Sequence, residues 1–213
     1  MEFQKTKREI SWGLYATAFI ISAIIFGIGM WAGLQIEKSV TEELSVTVSR
    51  IDQQWIALET LMLMDSSPAF CDYLTQEIHS FDSETYSLGQ RIGYMEEKKG
   101  VDPSLKSEYM SLEVRDYLVA SKINEKCGAN TSLVLYFVSS SDCSNCKEQG
   151  IQLTSARERT GARVYTFDMD VKNSMVSALD SIFKIDSYPS IVIGSKKYTE
   201  YMTADSIVSE IKG

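Results

Sequence analysis

The stretch LVLYFVSSSDCSNC, residues 133–146, is the strongest indicator of how this chain folds. Its apolar first half predicts a buried β-strand, and two cysteines three positions apart follow at the start of a helical pattern. At a helix N-terminus, unpaired backbone N–H groups and the helix dipole favour a thiolate at Cys143. Cys146 lies one turn later, where it can close a disulfide. The stretch therefore predicts a redox-active thiol pair.

A Cys-x-x-Cys pair is also half of many zinc sites, which need a second pair of Cys or His ligands nearby. The sequence has one histidine, His79, far upstream, and the remaining cysteines, Cys71 and Cys127, are distant from the pair and from each other. We therefore expect a thiol pair without metal or cofactor, with zinc as the alternative.

The residues after the cysteines alternate between helical and strand patterns. A helix is predicted over 147–160, and Gly161 ends it before a β-rich run at 162–168, so that strand, helix and strand form a βαβ unit. The later predicted elements are a helix over 175–183, a strand at 190–193, a hairpin return at 197–201 and a helix over 204–212. This order requires a mixed sheet whose parallel part has a right-handed crossover.

With this order of elements, residues 133–212 resemble the thioredoxin superfamily. The matching features are the cysteine pair after the first strand and Tyr188-Pro189 before the hairpin, where the family places its cis-proline loop. The resemblance implies an α/β thioredoxin-like domain with catalytic residues Cys143 and Cys146. It also implies that the Tyr188-Pro189 loop binds an extended substrate segment. Because an X-Pro bond prefers trans only weakly, a fold can impose the cis form, and a trans-proline turn is the alternative.

Two positions depart from the thioredoxin pattern. The family usually has Trp before the first cysteine, where this chain has Asp142, and the family's buried proton-accepting carboxylate falls on Phe137. Asp142 can cap the helix but also opposes a thiolate at Cys143. The sequence therefore leaves the direction of electron flow open, and it leaves a second hypothesis, a non-catalytic binding or assembly module with a static disulfide.

The N-terminal part of the chain has the composition of a membrane span. No charged residue occurs over 10–36, which exceeds the roughly 20 apolar residues that cross a bilayer. Trp12 and Tyr15 stand near one end and Trp31 near the other, as expected for side chains at the headgroup level. We predict a transmembrane helix over 10–36, with a cleaved signal peptide as the alternative.

Charges around the span indicate its orientation. The flanking charged residues are Lys5, Lys7 and Arg8 before it, and Glu37, Lys38, Glu42 and Glu43 after it. The positive-inside rule then predicts a cytoplasmic tail at 1–9 and an extracytoplasmic position for everything after residue 36, in a single-pass protein of the cell membrane. Gly29 and Gly33 form a small-residue face that could associate with a second copy. The net charge of −8, without a basic cluster beyond the tail, argues against nucleic acid as a partner.

Residues 37–127 predict an all-α spacer bundle. Apolar residues recur at alternating spacings of three and four in the first helix, at Leu44, Val48, Ile51, Trp55, Leu58 and Met62. Two similar patterns follow, separated by turns at 66–68 and 99–103, so we expect three antiparallel helices. An intermolecular coiled coil is the alternative for the first pattern.

The second and third predicted helices have similar lengths, which places Cys71 opposite Cys127. In an oxidising compartment this pair is expected to form a structural disulfide, with two free thiols as the alternative. The thioredoxin-like domain then occupies 128–213.

These features together predict a membrane-tethered thiol–disulfide oxidoreductase that acts on protein thiols and disulfides outside the cytoplasm. The resemblance further implies a redox partner in the membrane, such as a quinone-linked oxidase or a transmembrane electron donor.

Overall fold

The computed structural model describes residues 12–64 and 68–213. Three helices come first, α1 (Trp12–Met64), α2 (Pro68–Lys99) and α3 (Pro103–Cys127). The remaining elements are β1 (Leu133–Val138), α4 (Cys146–Thr160), β2 (Arg163–Asp168), α5 (Ser174–Phe183), β3 (Ser190–Ile193), β4 (Lys196–Tyr198) and α6 (Ala204–Lys212). A helical N-terminal region followed by a small mixed sheet with helices is the arrangement that the sequence predicts.

The chain divides into two units between Glu43 and Leu44. In the described part of the first unit, α1 exposes its large apolar side chains, with Trp12 81%, Phe19 75% and Trp31 65% accessible. Its apolar stretch is long enough to cross a membrane by length and composition, a test that a signal sequence also passes. The predicted tail at 1–9 and the first two residues of the predicted span lie outside the described residues.

In the second unit, α1, α2 and α3 form the predicted bundle. The apolar residues of the first pattern, Leu44, Val48, Ile51, Trp55, Leu58 and Met62, are all at most 5% exposed. The Trp55 ring lies 5.2 Å from the Phe81 ring of α2, measured between centroids. This seam is therefore buried within the chain itself, as the bundle prediction requires.

The bundle helices α2 and α3 are joined by a disulfide at one end. Cys71 and Cys127 are bridged with their Cα atoms 5.3 Å apart and 56 residues apart in sequence. The bond links the first turn of α2 to the last residue of α3. The two cysteines that the sequence pairs are thus bonded in the structure.

The α3 helix has sharply defined ends. The Asp102 side chain accepts a hydrogen bond from the Ser104 N–H (2.8 Å) and caps the first turn, where Pro103 needs no hydrogen-bond partner. Gly128 ends the helix in the left-handed conformation (φ 66°) that favours glycine. These caps fix the point at which the chain leaves the bundle and enters the sheet.

The sheet has the strand order β2-β1-β3-β4. The β1 and β2 strands are parallel, with register from Leu133↔Arg163 to Val138↔Asp168, whereas β3 is antiparallel to both β1 and β4. The α4 crossover between β1 and β2 and the antiparallel β3–β4 hairpin give the mixed sheet of a thioredoxin-like fold. Each face of the sheet carries its own hydrophobic core.

One of these cores includes residues of the helical bundle. Met110 and Val114 of α3 are buried together with Phe137 of β1 and Phe167 of β2. The apolar pattern assigned to α3 from the sequence accounts for only one side of this helix. The other side packs on the sheet, so α3 contacts both the helical bundle and the sheet.

A buried ion-pair network also joins the bundle to the sheet. The Arg163 guanidinium of β2 lies 2.8 Å from an Asp116 carboxylate oxygen of α3 and 3.0 Å from an Asp82 oxygen of α2. The Arg163 and Asp116 side chains are only 4% and 1% exposed. Residues 44–213 therefore form one compact unit. The boundary predicted between residues 127 and 128 falls inside this unit, at Gly128, which ends α3 in the left-handed conformation.

Candidate redox site

The sheet register brings three loops to the same edge. Val138 pairs with Asp168 at the ends of β1 and β2, and Phe137 pairs with Ser190 at the start of β3. The loops that follow β1, follow β2 and precede β3 therefore meet at the carboxyl end of β1. The predicted catalytic pair lies in the first of these loops and the predicted proline loop is the third.

Cys143 and Cys146 form a disulfide at the start of α4, with their Cα atoms 5.6 Å apart. Both cysteines are partly exposed, and Ser144 and Asn145 between them are exposed. Asn145 stands at the cap position but makes no capping hydrogen bond through its side chain. The helix N-terminus can therefore direct its backbone N–H groups and positive dipole toward a thiolate.

Tyr136 fixes the start of α4 from the sheet. Its hydroxyl donates a 2.6 Å hydrogen bond to the backbone carbonyl of Cys146. Burial, with a contribution from the Glu148 carboxylate, raises the pKa of Tyr136 above its usual value, so that the phenol keeps its proton as a donor. This hydrogen bond thus ties the Cys146 end of the disulfide to the sheet.

Asp170 holds the loop that leads into Cys143. Its carboxylate accepts hydrogen bonds from the Ser141 N–H (2.7 Å) and the Ser139 hydroxyl (3.0 Å). The Ser139 oxygen in turn accepts one from the Asp142 N–H (2.9 Å). Desolvation acts to raise the pKa of Asp170, but the hydrogen bonds from Ser141 and Ser139 outweigh it and lower the pKa. An ionised Asp170 therefore orders the approach to the first cysteine.

Asp168, at the end of β2, is a buried carboxylate beside the same loop. It accepts a hydrogen bond from the Ser140 hydroxyl (2.6 Å) and forms an ion pair with Lys106 of α3, which also lies 2.5 Å from Glu96. Desolvation raises the pKa of Asp168, but the hydrogen bonds from Lys106 and Ser140 outweigh it and lower the pKa. The helical bundle thus supplies a charged group to the surroundings of the cysteine pair.

Sequence reasoning missed the roles of Asp168, Asp170 and Lys106. Phe137, the position at which the thioredoxin pattern has a carboxylate, is fully buried among apolar residues, while the buried Asp168 stands on the neighbouring strand opposite Val138. Two features of the sequence could have indicated the contact between the loops after β1 and β2. They are the two aspartates at 168 and 170, at the end of a predicted strand, and the serine run at 139–141.

The predicted substrate loop lies at the same edge. The Tyr188-Pro189 peptide bond is cis, Pro189 is buried, and Tyr188 is half-buried. Burial raises the pKa of Tyr188, and the carboxylates of Asp180, Asp170 and Asp142 raise it further. Since Phe137 pairs with Ser190, the residue after Pro189, the proline loop lies at the end of β1 from which the Cys143 loop departs.

The Cys71–Cys127 disulfide lies elsewhere. Cys127 ends α3 and precedes the amino end of β1, whereas the redox site is at the carboxyl end of that strand. The structure therefore groups Cys143, Cys146, Tyr188 and Pro189, and separates the other disulfide from them. Among the described residues, no cluster of three or more His, Cys, Asp or Glu is placed to hold a metal ion.

Comparison with known proteins gives matches only among solved structures. No protein-family model matches the sequence. No curated protein sequence matches it either. A malaria-parasite thioredoxin-2, a component of that parasite's protein secretion machinery, is 22% identical over 38% of this chain and 82% of its own, with a TM-score of 0.32. Chloroplastic thioredoxin z is 20% identical over 44% of this chain and 86% of its own, with a TM-score of 0.33.

Both proteins are thioredoxins, the superfamily that the sequence resembles. The thioredoxin-like character of residues 133–212 rests on the strand order, the register and the position of the cysteine pair rather than on these superpositions.

Proposed function

We propose that this chain is a membrane-tethered thiol–disulfide oxidoreductase that acts on protein thiols and disulfides outside the cytoplasm. The observation that carries the proposal is a partly exposed disulfide at the first turn of a helix, beside a proline loop at the same sheet edge. A bond of this kind is accessible to an attacking thiolate and closes a ring of only a few residues. Both properties suit a disulfide that is made and broken repeatedly.

The proposed exchange has two steps, each of which is the attack of a thiolate on a disulfide sulfur. The reduced form starts with a Cys143 thiolate, which attacks one sulfur of a substrate disulfide, forms a mixed disulfide and releases the other substrate sulfur as a thiolate. The Cys146 thiolate then attacks Cys143 Sγ, releases the second substrate thiolate and restores the Cys143–Cys146 bond. The substrate gains two electrons and the enzyme loses two. The reverse sequence oxidises substrate thiols, and the potential of the redox partner sets the direction.

The loops around the disulfide have separate tasks in this proposal. The Tyr188-Pro189 loop receives an extended substrate segment through its backbone, as the thioredoxin resemblance implies. Asp170 orders the residues before Cys143 through the Ser139 and Ser141 hydrogen bonds. These loops would position the substrate sulfur while the helix N-terminus stabilises the thiolate.

The anchor would keep this chemistry near a membrane redox partner. The apolar stretch of α1 supports a retained span, and the basic residues before it support a cytoplasmic N-terminus with the catalytic unit on the other side. Gly29 and Gly33 stand four residues apart on one face of α1, a spacing of small residues that lets a second span approach closely.

A binding or assembly module with a static disulfide is the second candidate. It is favoured by two features of the site, the buried Phe137 in place of a carboxylate and the acidic residue Asp142 before the first cysteine. In that case the Cys143–Cys146 bond would stay closed and the proline loop would bind partners without exchange.

A trapping experiment separates the two candidates. Cys146→Ser removes the resolving thiol, so the mixed disulfide between Cys143 and substrate should accumulate in cells and be released by reductant. Cys143→Ser is the matched control, because it keeps the fold and one thiol but removes the proposed nucleophile. Absence of substrate adducts in Cys146→Ser, under conditions in which the same variant binds partners, would support the static module and contradict the oxidoreductase.

A further inference from the structure

A cleft of about 550 Å³ lies beside the redox site, between the helical bundle and the sheet. The α2 helix forms one wall and α4 the other, while α3, β1 and β2 form the floor. Its volume is in the range of pockets that bind small molecules, and it exceeds what one large apolar side chain needs. The apolar residues that line it are Ile92, Met110, Val138, Ile151, Leu153 and Val164.

Glycines open this cleft. Gly89 and Gly93 stand one turn apart on α2, and Gly150 stands on α4. A Cβ at Gly93 would meet nothing within 4 Å, and one at Gly150 would meet only the Tyr136 ring at 4.0 Å. Larger residues at these two positions would therefore enter empty space. Glycine disfavours a helix interior by about 1 kcal/mol relative to alanine, so these two glycines leave the cleft unfilled at a cost in helix stability.

The charged groups of the cleft are already neutralised. Among the described residues that line it, the cations pair with carboxylates: Lys106 with Asp168 and Glu96, Lys147 with Glu97 at 3.2 Å, and Arg157 with Asp82 at 2.9 Å. On the floor, burial raises the pKa of Glu113 to about 8, which leaves this carboxyl uncharged at neutral pH. The cleft therefore offers no unpaired charge to a charged ligand. Ile151, by contrast, stays 61% exposed at its mouth.

Residues next to the reacting cysteines in sequence line the cleft. Lys147 follows Cys146 directly in α4, and Ser140 belongs to the loop before Cys143. Tyr136 lines the cleft, and its hydroxyl donates a hydrogen bond to the Cys146 carbonyl. A polypeptide joined to Cys143 through a mixed disulfide could thus place a nearby side chain in the cleft without leaving the surface of the protein.

We infer that this cleft binds an apolar side chain of the polypeptide substrate, a few residues from the substrate cysteine, and so makes the helical bundle part of the substrate site. This inference rests on the proposed oxidoreductase function. The substrates are then polypeptides in which an exposed cysteine has a large apolar residue nearby, as in unfolded or extended chains. Burial of one such side chain is expected to raise the exchange rate by about tenfold or more.

The test uses the full-length chain in lipid nanodiscs. The probes are peptides with one cysteine bonded to a reporter thiol, with phenylalanine placed at successive positions on either side of the cysteine and glycine or serine elsewhere. The rate constant for reaction with the reduced enzyme is measured for each peptide and for glutathione disulfide, which is small and polar and reports on the sulfur chemistry alone. The variants are Gly93→Leu and Gly150→Leu, which fill the cleft from opposite walls. Ser87→Leu, an exposed position on the far side of α2, is the control.

The wild type and Ser87→Leu should prefer at least one phenylalanine position over the unsubstituted peptide by about tenfold. Both glycine variants should lose this preference while their reaction with glutathione disulfide is unchanged. If the glycine variants keep the preference, or if the wild type has none, the assignment of the cleft is overturned and the proposed function still stands. A reduced wild type that reacts with neither kind of probe would contradict the proposed function, and this inference with it.

Discussion

Glu113 is a carboxyl group that is buried between α3 and the sheet. It is 5% exposed, and its two carboxyl oxygens lie 3.0 Å from the Tyr109 hydroxyl and 3.3 Å from the Thr166 N–H. The Tyr109 hydroxyl also lies 3.4 Å from the Thr85 carbonyl. The Tyr109 hydroxyl has one proton and can donate to only one of these two oxygens. If Glu113 is protonated, its carboxyl donates to the Tyr109 oxygen and the Tyr109 hydroxyl donates to the Thr85 carbonyl, so that each contact has one donor and one acceptor. Burial, with a smaller effect of Asp116, raises the pKa of Glu113 to about 8.

This pKa makes the stability of the protein depend on pH. Between about pH 5 and pH 8 the native state keeps a proton on Glu113 that the unfolded state releases. Glu113 therefore contributes a decrease in the free energy of unfolding of about 1.4 kcal/mol for each unit by which the pH rises in that window. Glu113→Gln removes this contribution, and its stability relative to the wild type should rise as the pH rises. Urea denaturation of the full-length chain in one detergent at four pH values measures the difference. Parallel wild-type and variant curves would show that Glu113 is ionised in the native state.

Among the secondary-structure elements, α2 and α3 depend most on a covalent link. Their disulfide joins residues 56 positions apart, whereas the Cys143–Cys146 bond spans only three. A crosslink that closes a long loop restricts the unfolded chain more than one that closes a short loop. The long-range bond is therefore expected to contribute more to stability, and the short-range bond is the one that we propose undergoes exchange.

The double substitution Cys71→Ser with Cys127→Ser should lower the free energy of unfolding by about 4 kcal/mol on the chain-entropy estimate. The double substitution of Cys143 and Cys146 by serine is the matched control, with an expected loss of about 1–2 kcal/mol. Denaturant unfolding of both variants and the wild type, without reductant, gives the comparison. Losses of equal size would contradict the assignment of the long-range bond as the structural one.

In the molecule as a whole, the bundle and the sheet share their interior. Met110 and Val114 of α3 complete the core on one face of the sheet, and Arg163 of β2 is buried against carboxylates of α2 and α3. Removing one partner of a buried ion pair leaves an uncompensated charge, which costs about 3–5 kcal/mol. The thioredoxin-like part therefore relies on the bundle for its stability as well as for the charged group that Lys106 brings to the redox site.

A fragment that begins at Gly128 should accordingly lack a cooperative fold, although it contains every strand of the sheet and both cysteines of the redox pair. It loses the buried Met110 and Val114 side chains, each worth about 1.5–3 kcal/mol, and leaves Arg163 without its partners. The fragment Leu44–Gly213, which holds the whole second unit, is the control and should unfold cooperatively. Near-ultraviolet circular dichroism and urea titration distinguish them. Cooperative unfolding of the shorter fragment with the stability of the longer one would show that the two parts are independent.

The local features of this protein could be predicted from its sequence. The strand at 133–138, the apolar pattern from Leu44 to Met62 and the charge-free run at 10–36 were recognisable because side-chain periodicity and hydropathy are properties of neighbouring residues. The cysteine pair was recognisable for the same reason, since three positions of spacing let the two thiols meet where a helix begins.

Contacts between distant residues could not be predicted in this way. Lys106 and Asp168 pair across 62 positions, Arg163 and Asp116 across 47, and the cleft takes its two walls from α2 and α4. Each of these residues, taken alone, has the pattern of an ordinary charged or small residue on a helix or strand. Their roles follow from the packing of α3 against both the bundle and the sheet, because packing sets which distant groups lose water together and must pair with one another.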